Sequence, residues 1–144
     1  MKDTLRPGLT HTHRFTIPES KTVPHLYPES AMFREMPGVL ATGFMVGLLE
    51  WACVELLRPH LDWPREQSLG THVDFSHLAA TPPGMTVSVE ARLEEVDGRR
   101  LVFSLVAHDG IDKISEGRHE RFIIEAERFR AKLAQKALKA GLSG

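Results

Sequence analysis

The sequence predicts an α+β domain in which one long apolar helix lies against an antiparallel sheet of about five strands. Three observations predict it. Residues 39–57 are apolar nearly throughout and close at Arg58-Pro59; the run is too long for a typical strand, and the proline supplies a stop. Residues 85–96 alternate, with Val87, Val89, Ala91 and Leu93 on one face and Ser88, Glu90, Arg92 and Glu94 on the other, the mark of a half-buried strand. Asp97-Gly98 and Asp109-Gly110 then separate two further apolar runs, as hairpin turns do.

Taken in order, residues 1–10 form an N-terminal extension, and residues 11–17 read as a short strand ended by Pro18. Residues 21–37 carry Pro24, Pro28 and Pro37, so they read as loop with one helical turn around residues 30–35. The helix over residues 39–57 follows. Being apolar on nearly every face, it must be covered on most sides. Residues 68–79 are a further strand before the turn Thr81-Pro82-Pro83-Gly84. Strand 85–96 passes through Asp97-Gly98, expected as a type I′ turn with positive φ at both central positions. Residues 101–108 return, and residues 114–124 complete the meander. From Glu125 the pattern becomes helical, with Lys132, Lys136 and Lys139 in a solvated tail over residues 126–144. A single sheet wrapped around one buried helix is the hot-dog arrangement, which this order suggests.

Composition narrows the classes of function. The 144 residues fit a single domain, and 42% apolar with 26% charged residues is ordinary for a globular chain. Eighteen Lys+Arg against nineteen Asp+Glu leave a net charge of -1. That removes the broad electrostatic footprint of a nucleic-acid or anionic-membrane binder. The stretch from Pro37 to Leu49 stops at Glu50, short of the ~20 residues that span a bilayer. The N-terminus lacks the apolar core of a signal peptide. Cys53 is the sole cysteine, which excludes an intrachain disulfide and an all-cysteine metal site and fits a reducing, cytoplasmic setting. His11-X-His13 has no downstream partners at ligand spacing, so no metal site and no cofactor are expected. G-x-S-x-G, P-loop and G-x-G-x-x-G motifs are absent.

Three polar residues stand out against this background. Glu50 interrupts the apolar helix, where an unpaired buried carboxylate would be costly. It either faces solvent or serves a pocket as base, nucleophile or orienting group. Thr42 lies eight residues earlier, a rotation of about 80° and ~12 Å along an ideal helix, so the two can flank one groove. Thr42 reads equally as the helix N-cap. His77, in Phe75-Ser-His-Leu-Ala79, is structural or a ready acid/base near neutrality. Met32, Met36, Met45 and Phe44 read as core or pocket wall. The residues alone give an acid, a hydroxyl and an imidazole.

A resemblance adds to this. The segments His25-Leu-Tyr-Pro-Glu-Ser30, Thr42-Gly-Phe-Met-Val-Gly-Leu-Leu-Glu-Trp-Ala-Cys-Val54, Ala80-Thr-Pro-Pro-Gly84, Ala107-His-Asp-Gly110 and His119-Glu-Arg121 resemble the fluoroacetyl-CoA thioesterase family. The resemblance covers roughly residues 21–132, and the block from Thr42 to Val54 is its most specific part. It implies a hot-dog fold, usually dimeric with active sites at the protomer interface, and hydrolysis of a short acyl-CoA thioester, foremost fluoroacetyl-CoA. The family's catalytic positions fall on Thr42, Glu50 and His77. By resemblance Glu50 attacks or activates the attacking group, Thr42 orients it, and His77 is the acid/base. Gly70 matches a glycine near the thioester, the Gly43 amide suits an oxyanion, and Arg121 is associated with the CoA portion. Phe33 keeps the first aromatic position of a selectivity lid, but Met36 stands where a second phenylalanine is expected. Alternatives are a short-chain acyl-CoA thioesterase without fluorine selectivity, a non-catalytic acyl-CoA-binding module and a hot-dog hydratase.

Overall fold

A computed structural model of the protein describes residues 1–142; the last two residues of the expected C-terminal tail lie outside the described residues. Five strands form one antiparallel sheet in the order β1-β3-β4-β5-β2. They are β1 (Thr10–Thr16), β2 (Glu66–Phe75), β3 (Thr86–Asp97), β4 (Arg100–His108) and β5 (Lys113–Glu125). Three helices accompany them: α1 (Ala31–Arg34), α2 (Thr42–Leu57) and α3 (Ala126–Lys139). The α+β expectation and its hot-dog arrangement are what the structure shows.

Alternation builds the core. Val87, Val89, Ala91 and Leu93 of β3 are all buried, as are Leu101, Phe103, Leu105 and Ala107 of β4. Against them α2 lays Met45, Leu49, Ala52, Cys53, Leu56 and Leu57. Each such large apolar side chain contributes ~1.5–3 kcal/mol on burial, so the sheet fixes one face of α2 firmly. Burial pushes the Cys53 thiol up to about 12. The opposite row of the helix, Gly43, Gly47 and Trp51, stays exposed.

The structure shifts three boundaries. The helix starts at Thr42 and not at residue 39, because Leu40 and Ala41 are drawn into extended backbone. Leu40 pairs with Thr22 in an isolated bridge and donates to the Thr81 carbonyl at 2.8 Å, while Ala41 donates to the Lys21 carbonyl at 3.1 Å. Strand β2 ends at Phe75 and not at residue 79. Beyond it the Ser76 amide still donates to the Glu116 carbonyl (3.0 Å) and the Leu78 amide to the Ile114 carbonyl (2.7 Å). His77 therefore lies on a loop pinned to β5. The β3–β4 hairpin pairs Asp97 with Arg100, so its central residues are Gly98 and Arg99. Only Gly98 has positive φ, which fits type II′ and not the expected type I′.

Where β2 crosses β5 the chains come very close. A Cβ on Gly117 would sit 1.9 Å from the Asp74 carbonyl oxygen, at a φ of +155. Backbone on both sides leaves no flexible atom to yield. Gly117→Ala should cost more than ~2 kcal/mol, read as a lowered urea midpoint. An unchanged midpoint would refute this account of the crossing.

Candidate active site

The first sequence candidate sits where α2 begins. Ala41, with φ -70 and ψ 140, is the N-cap and offers no side-chain hydrogen bond. Thr42 is thus the first helical residue, not the cap, and its hydroxyl is free for other work. It bonds His77: Thr42 Oγ1 lies 2.8 Å from His77 Nδ1. Burial lowers the His77 pKa, opposed in part by the Ala79 backbone, which favours the neutral imidazole. With the hydroxyl donating to Nδ1, the ring proton resides on Nε2, which is buried with no partner among the described residues. This is the geometry of a base poised on a hydroxyl.

An uncapped N-terminus leaves the first amides of α2 unpaired within the helix. Intrahelical bonding starts with the Met45 amide donating to the Ala41 carbonyl (2.8 Å). The amides of Gly43 and Phe44 therefore stand beside Thr42 at the positive end of the helix dipole. Gly43 also admits the preceding loop, since a Cβ there would meet Leu26 Cδ1 at 3.0 Å.

Two turns on, Glu50 belongs to a different cluster. Its Oε1 accepts from Arg121 Nη1 at 3.1 Å and lies 3.9 Å from His119 Nε2. Arg121 is only 4% exposed. Its Nε donates to Ser68 Oγ (2.8 Å), its Nη2 to the Ser68 carbonyl (2.8 Å), and its Nη1 also to His119 Nε2 (3.1 Å). His119 Nδ1–H donates to the His72 carbonyl at 2.7 Å. That bond fixes the tautomer and leaves Nε2 as the acceptor for Arg121. Burial foremost holds the His119 pKa below its ordinary value, and the Arg121 charge pushes the same way against Glu50 and the His72 carbonyl. Gly70 makes the room: a Cβ there would stand 2.7 Å from Glu50 Oε1 and 3.0 Å from His119 Cε1.

The structure thus joins Thr42 to His77, and Glu50 to Gly70 and Arg121, as two groups on one helix. Arg121 stands against Glu50, where the resemblance had suggested the CoA portion. His119 and Ser68 were missed. The signal was available for His119, because strand alternation puts it on the same face as Arg121 two residues on. Around α1 the Ser30 hydroxyl caps the helix by accepting from the Phe33 amide (3.2 Å), and the Phe33 ring lies 6.1 Å from that of Tyr27. Met36 is 41% exposed. Leu26 reaches the helix start at Gly43.

Comparison with known proteins identifies the family. Residues 20–127 match the FlK family, fluoroacetyl-CoA-specific thioesterase. The chain belongs to this family. It is 57% identical over 136 residues to the fluoroacetyl-CoA thioesterase of Streptantibioticus cattleyicolor, covering 94% of this chain and 97% of that protein. A crystal structure of an FlK mutant in complex with fluoroacetate and CoA is 56% identical, with a TM-score of 0.84, covering 87% of this chain and 99% of that one. A thioesterase superfamily member from Thermus thermophilus shares the hot-dog fold at 26% identity, with a TM-score of 0.84 over 96% of this chain and 98% of that one. The protein is accordingly a hot-dog acyl-CoA thioesterase, a hydrolase.

Gly70 offers a direct check on the second cluster. The atom it would strike is the mobile end of Glu50, so Gly70→Ala should move the carboxylate off Arg121 without unfolding the sheet. A displacement of about 1 Å can cost ~10²-fold in turnover. Thermal melts unchanged beside a loss of that order are expected; full turnover would mean that the Glu50 position is irrelevant.

Proposed function

We propose that the protein hydrolyses fluoroacetyl-CoA, releasing CoA and fluoroacetate, at a site made from Thr42, His77 and Glu50. The observation that carries the reading is the 2.8 Å bond between the Thr42 hydroxyl and a neutral imidazole at an uncapped helix N-terminus. Family membership supplies the substrate class.

The chemistry follows from the positions. His77 takes the Thr42 proton as Oγ1 attacks the thioester carbonyl, and the developing oxyanion is met by the amides of Gly43 and Phe44. Collapse expels the CoA sulfur, which receives the proton from His77. Water then attacks the threonyl ester, His77 taking its proton and returning it to Thr42 Oγ1 as the C–Oγ1 bond breaks, while Glu50, held by Arg121, steers the water; the free acid leaves. Phe33 and Met36 belong to the mobile cover of the acyl group. No cofactor enters these steps. The alternative of a broader short-chain thioesterase is favoured by one observation, the flexible, half-exposed Met36 where a rigid ring is expected.

Two copies of the chain make the working unit. Strand β2 is an edge of the sheet, ten residues long, with Leu69 and Val73 exposed, and a free edge of this kind is a template for pairing. The exposed row of α2 lies toward the other edge, with the Trp51 ring 4.2 Å from that of His13 and 5.6 Å from that of Phe15 on β1. A homodimer joined along β2 pairs that free edge and places each site at the protomer interface. The buried lone thiol and a CoA substrate suit the cytoplasm. No described helix is long and apolar enough to cross a membrane.

Thiol release from fluoroacetyl-CoA tests the activity directly. Glu50→Gln and His77→Ala should each lose at least ~10²-fold in turnover with circular dichroism unchanged; two active variants would remove the site assignment. The wild-type kcat/KM should rise with pH along a limb centred below the ordinary histidine value of about 6.5, because only neutral His77 accepts the proton and burial makes it neutral sooner.

Light scattering should give twice 16.2 kDa at micromolar concentration; a persistent folded monomer contradicts the interface. Finally, Met36→Phe should raise the fluoroacetyl-to-acetyl ratio of kcat/KM by an amount worth ~1–3 kcal/mol. A ratio that stays level or falls means that Met36 does not set selectivity.

A further inference from the structure

Outside both clusters lies a buried polar pair that the reaction does not use. Thr81 is 0% exposed and Asp109 is 4% exposed, and they come from loops 28 residues apart. Asp109 Oδ1 accepts from the amides of Ile111 (3.0 Å) and Asp112 (2.8 Å). This is all that an aspartate capping its own turn requires. Its second oxygen does something else: Oδ2 accepts the Thr81 hydroxyl at 2.9 Å. Burial opposes the charge on Asp109, but the amides and the hydroxyl outweigh it and hold the carboxyl below its usual range.

Thr81 stands at a junction. Four residues upstream on its own loop is His77. Its carbonyl accepts from the Leu40 amide at 2.8 Å, and Thr42 follows two residues after Leu40. The side chains that meet at 2.8 Å thus reach each other from two segments that are tied together at Thr81. The loop's other ties are Ser76 to Glu116 and Leu78 to Ile114 upstream and Gly84 to Ile17 downstream, and none of them joins it to the start of α2. The helix start has its own ties to Lys21 and Thr22, but none of these reaches the His77 loop.

We propose that Asp109 and Thr81 form a bracket that sets the separation of Thr42 and His77, each acting as a positioning residue for that pair. The proposal rests on the reading that Thr42 and His77 perform the chemistry. It gives a task to the Thr81-Pro82-Pro83-Gly84 and His108-Asp109-Gly110 motifs, which the reaction itself leaves without one. His77 meets only the Thr42 hydroxyl from α2, and no charged side chain contributes to its shift. Its acidic limb therefore reports on how well the loop is closed.

The experiment compares the wild type with Thr81→Val, which keeps the shape and removes the hydroxyl, and Thr81→Ser, which keeps the hydroxyl. For Thr81→Val, kcat on fluoroacetyl-CoA should fall ~10–10²-fold, as misplaced catalytic groups do, with KM within about threefold. Its acidic limb in kcat/KM should move to higher pH, since water admitted to the loop returns His77 toward its ordinary value. Thr81→Ser should restore both. A folded Thr81→Val with wild-type kcat and limb overturns the bracket, as does a Thr81→Ser as impaired as the valine variant. Should Thr81→Val fail to fold, Asp109→Asn decides. It keeps the turn's acceptor and replaces the oxygen facing Thr81, so lowered kcat at unchanged KM supports the bracket, and wild-type kcat refutes it. His77→Ala, run alongside, separates the two levels. If it retains turnover, the site reading has failed; if it is inactive while Thr81→Val is normal, the bracket alone has failed.

Discussion

The structure depends on one constraint: a helix that is apolar on nearly all sides must be enclosed. Sheet β1-β3-β4-β5-β2 encloses one face of α2 through Leu49, Ala52, Cys53 and Leu56. Because packed side chains leave no slack, the helix has one position relative to the sheet. That rigidity is what allows two chemical groups to be hung from it with fixed separation. At the N-terminus, a cap whose side chain accepts no hydrogen bond frees both Thr42 and the neighbouring amides. Two turns later, Glu50 emerges at the border between the covered and open faces, where β2 and β5 can reach it.

The surroundings of Glu50 show how a carboxylate is kept on an otherwise greasy helix. Arg121 meets it, but a buried guanidinium itself needs acceptors, and it finds them in Ser68 and His119. His119 accepts at Nε2 because its one ring proton sits on Nδ1, donating to the His72 carbonyl. Each polar group is satisfied by the next, the condition under which a buried network stiffens a site instead of weakening it. The bulge between Gly70 and His72 lies in the middle of this chain of bonds. An irregularity of the edge strand is thereby part of the carboxylate's support.

Much of this was legible in the residues. Alternation at Val87, Val89, Ala91 and Leu93 gave the β3 face correctly, because one side of that strand is buried and the other wet. The length and closing proline of the apolar run gave α2. Its start was placed three residues early, since Leu40 is as apolar as any helix residue and only its tertiary bonds to Thr22 and Thr81 pull it straight. The sequence reads residues 68–79 as one strand; Ser76 and Leu78 do hydrogen-bond to β5, but the strand ends at Phe75 and His77 falls on the loop after it. The turn falls one residue later than the Asp97-Gly98 reading has it, with Gly98 at the first central position, as a dipeptide does not say which of its residues takes that place. Thr42, Glu50 and His77 could be named from the resemblance, but their division into two groups could not. That division depends on Arg121 and His119, whose side chains meet Glu50 across 71 residues of sequence.

The position of Cys53 bears on what happens after turnover. An enzyme that liberates coenzyme A works beside a free thiol of its own making, and a solitary protein thiol could in principle trade sulfurs with oxidised coenzyme. Only thiolate exchanges. With its pKa pushed up to about 12, Cys53 stays a thiol at neutral pH, and its 0% exposure shuts out any disulfide that would approach. The same packing that holds α2 in place therefore leaves the protein chemically indifferent to its product and to the redox balance of the coenzyme pool around it.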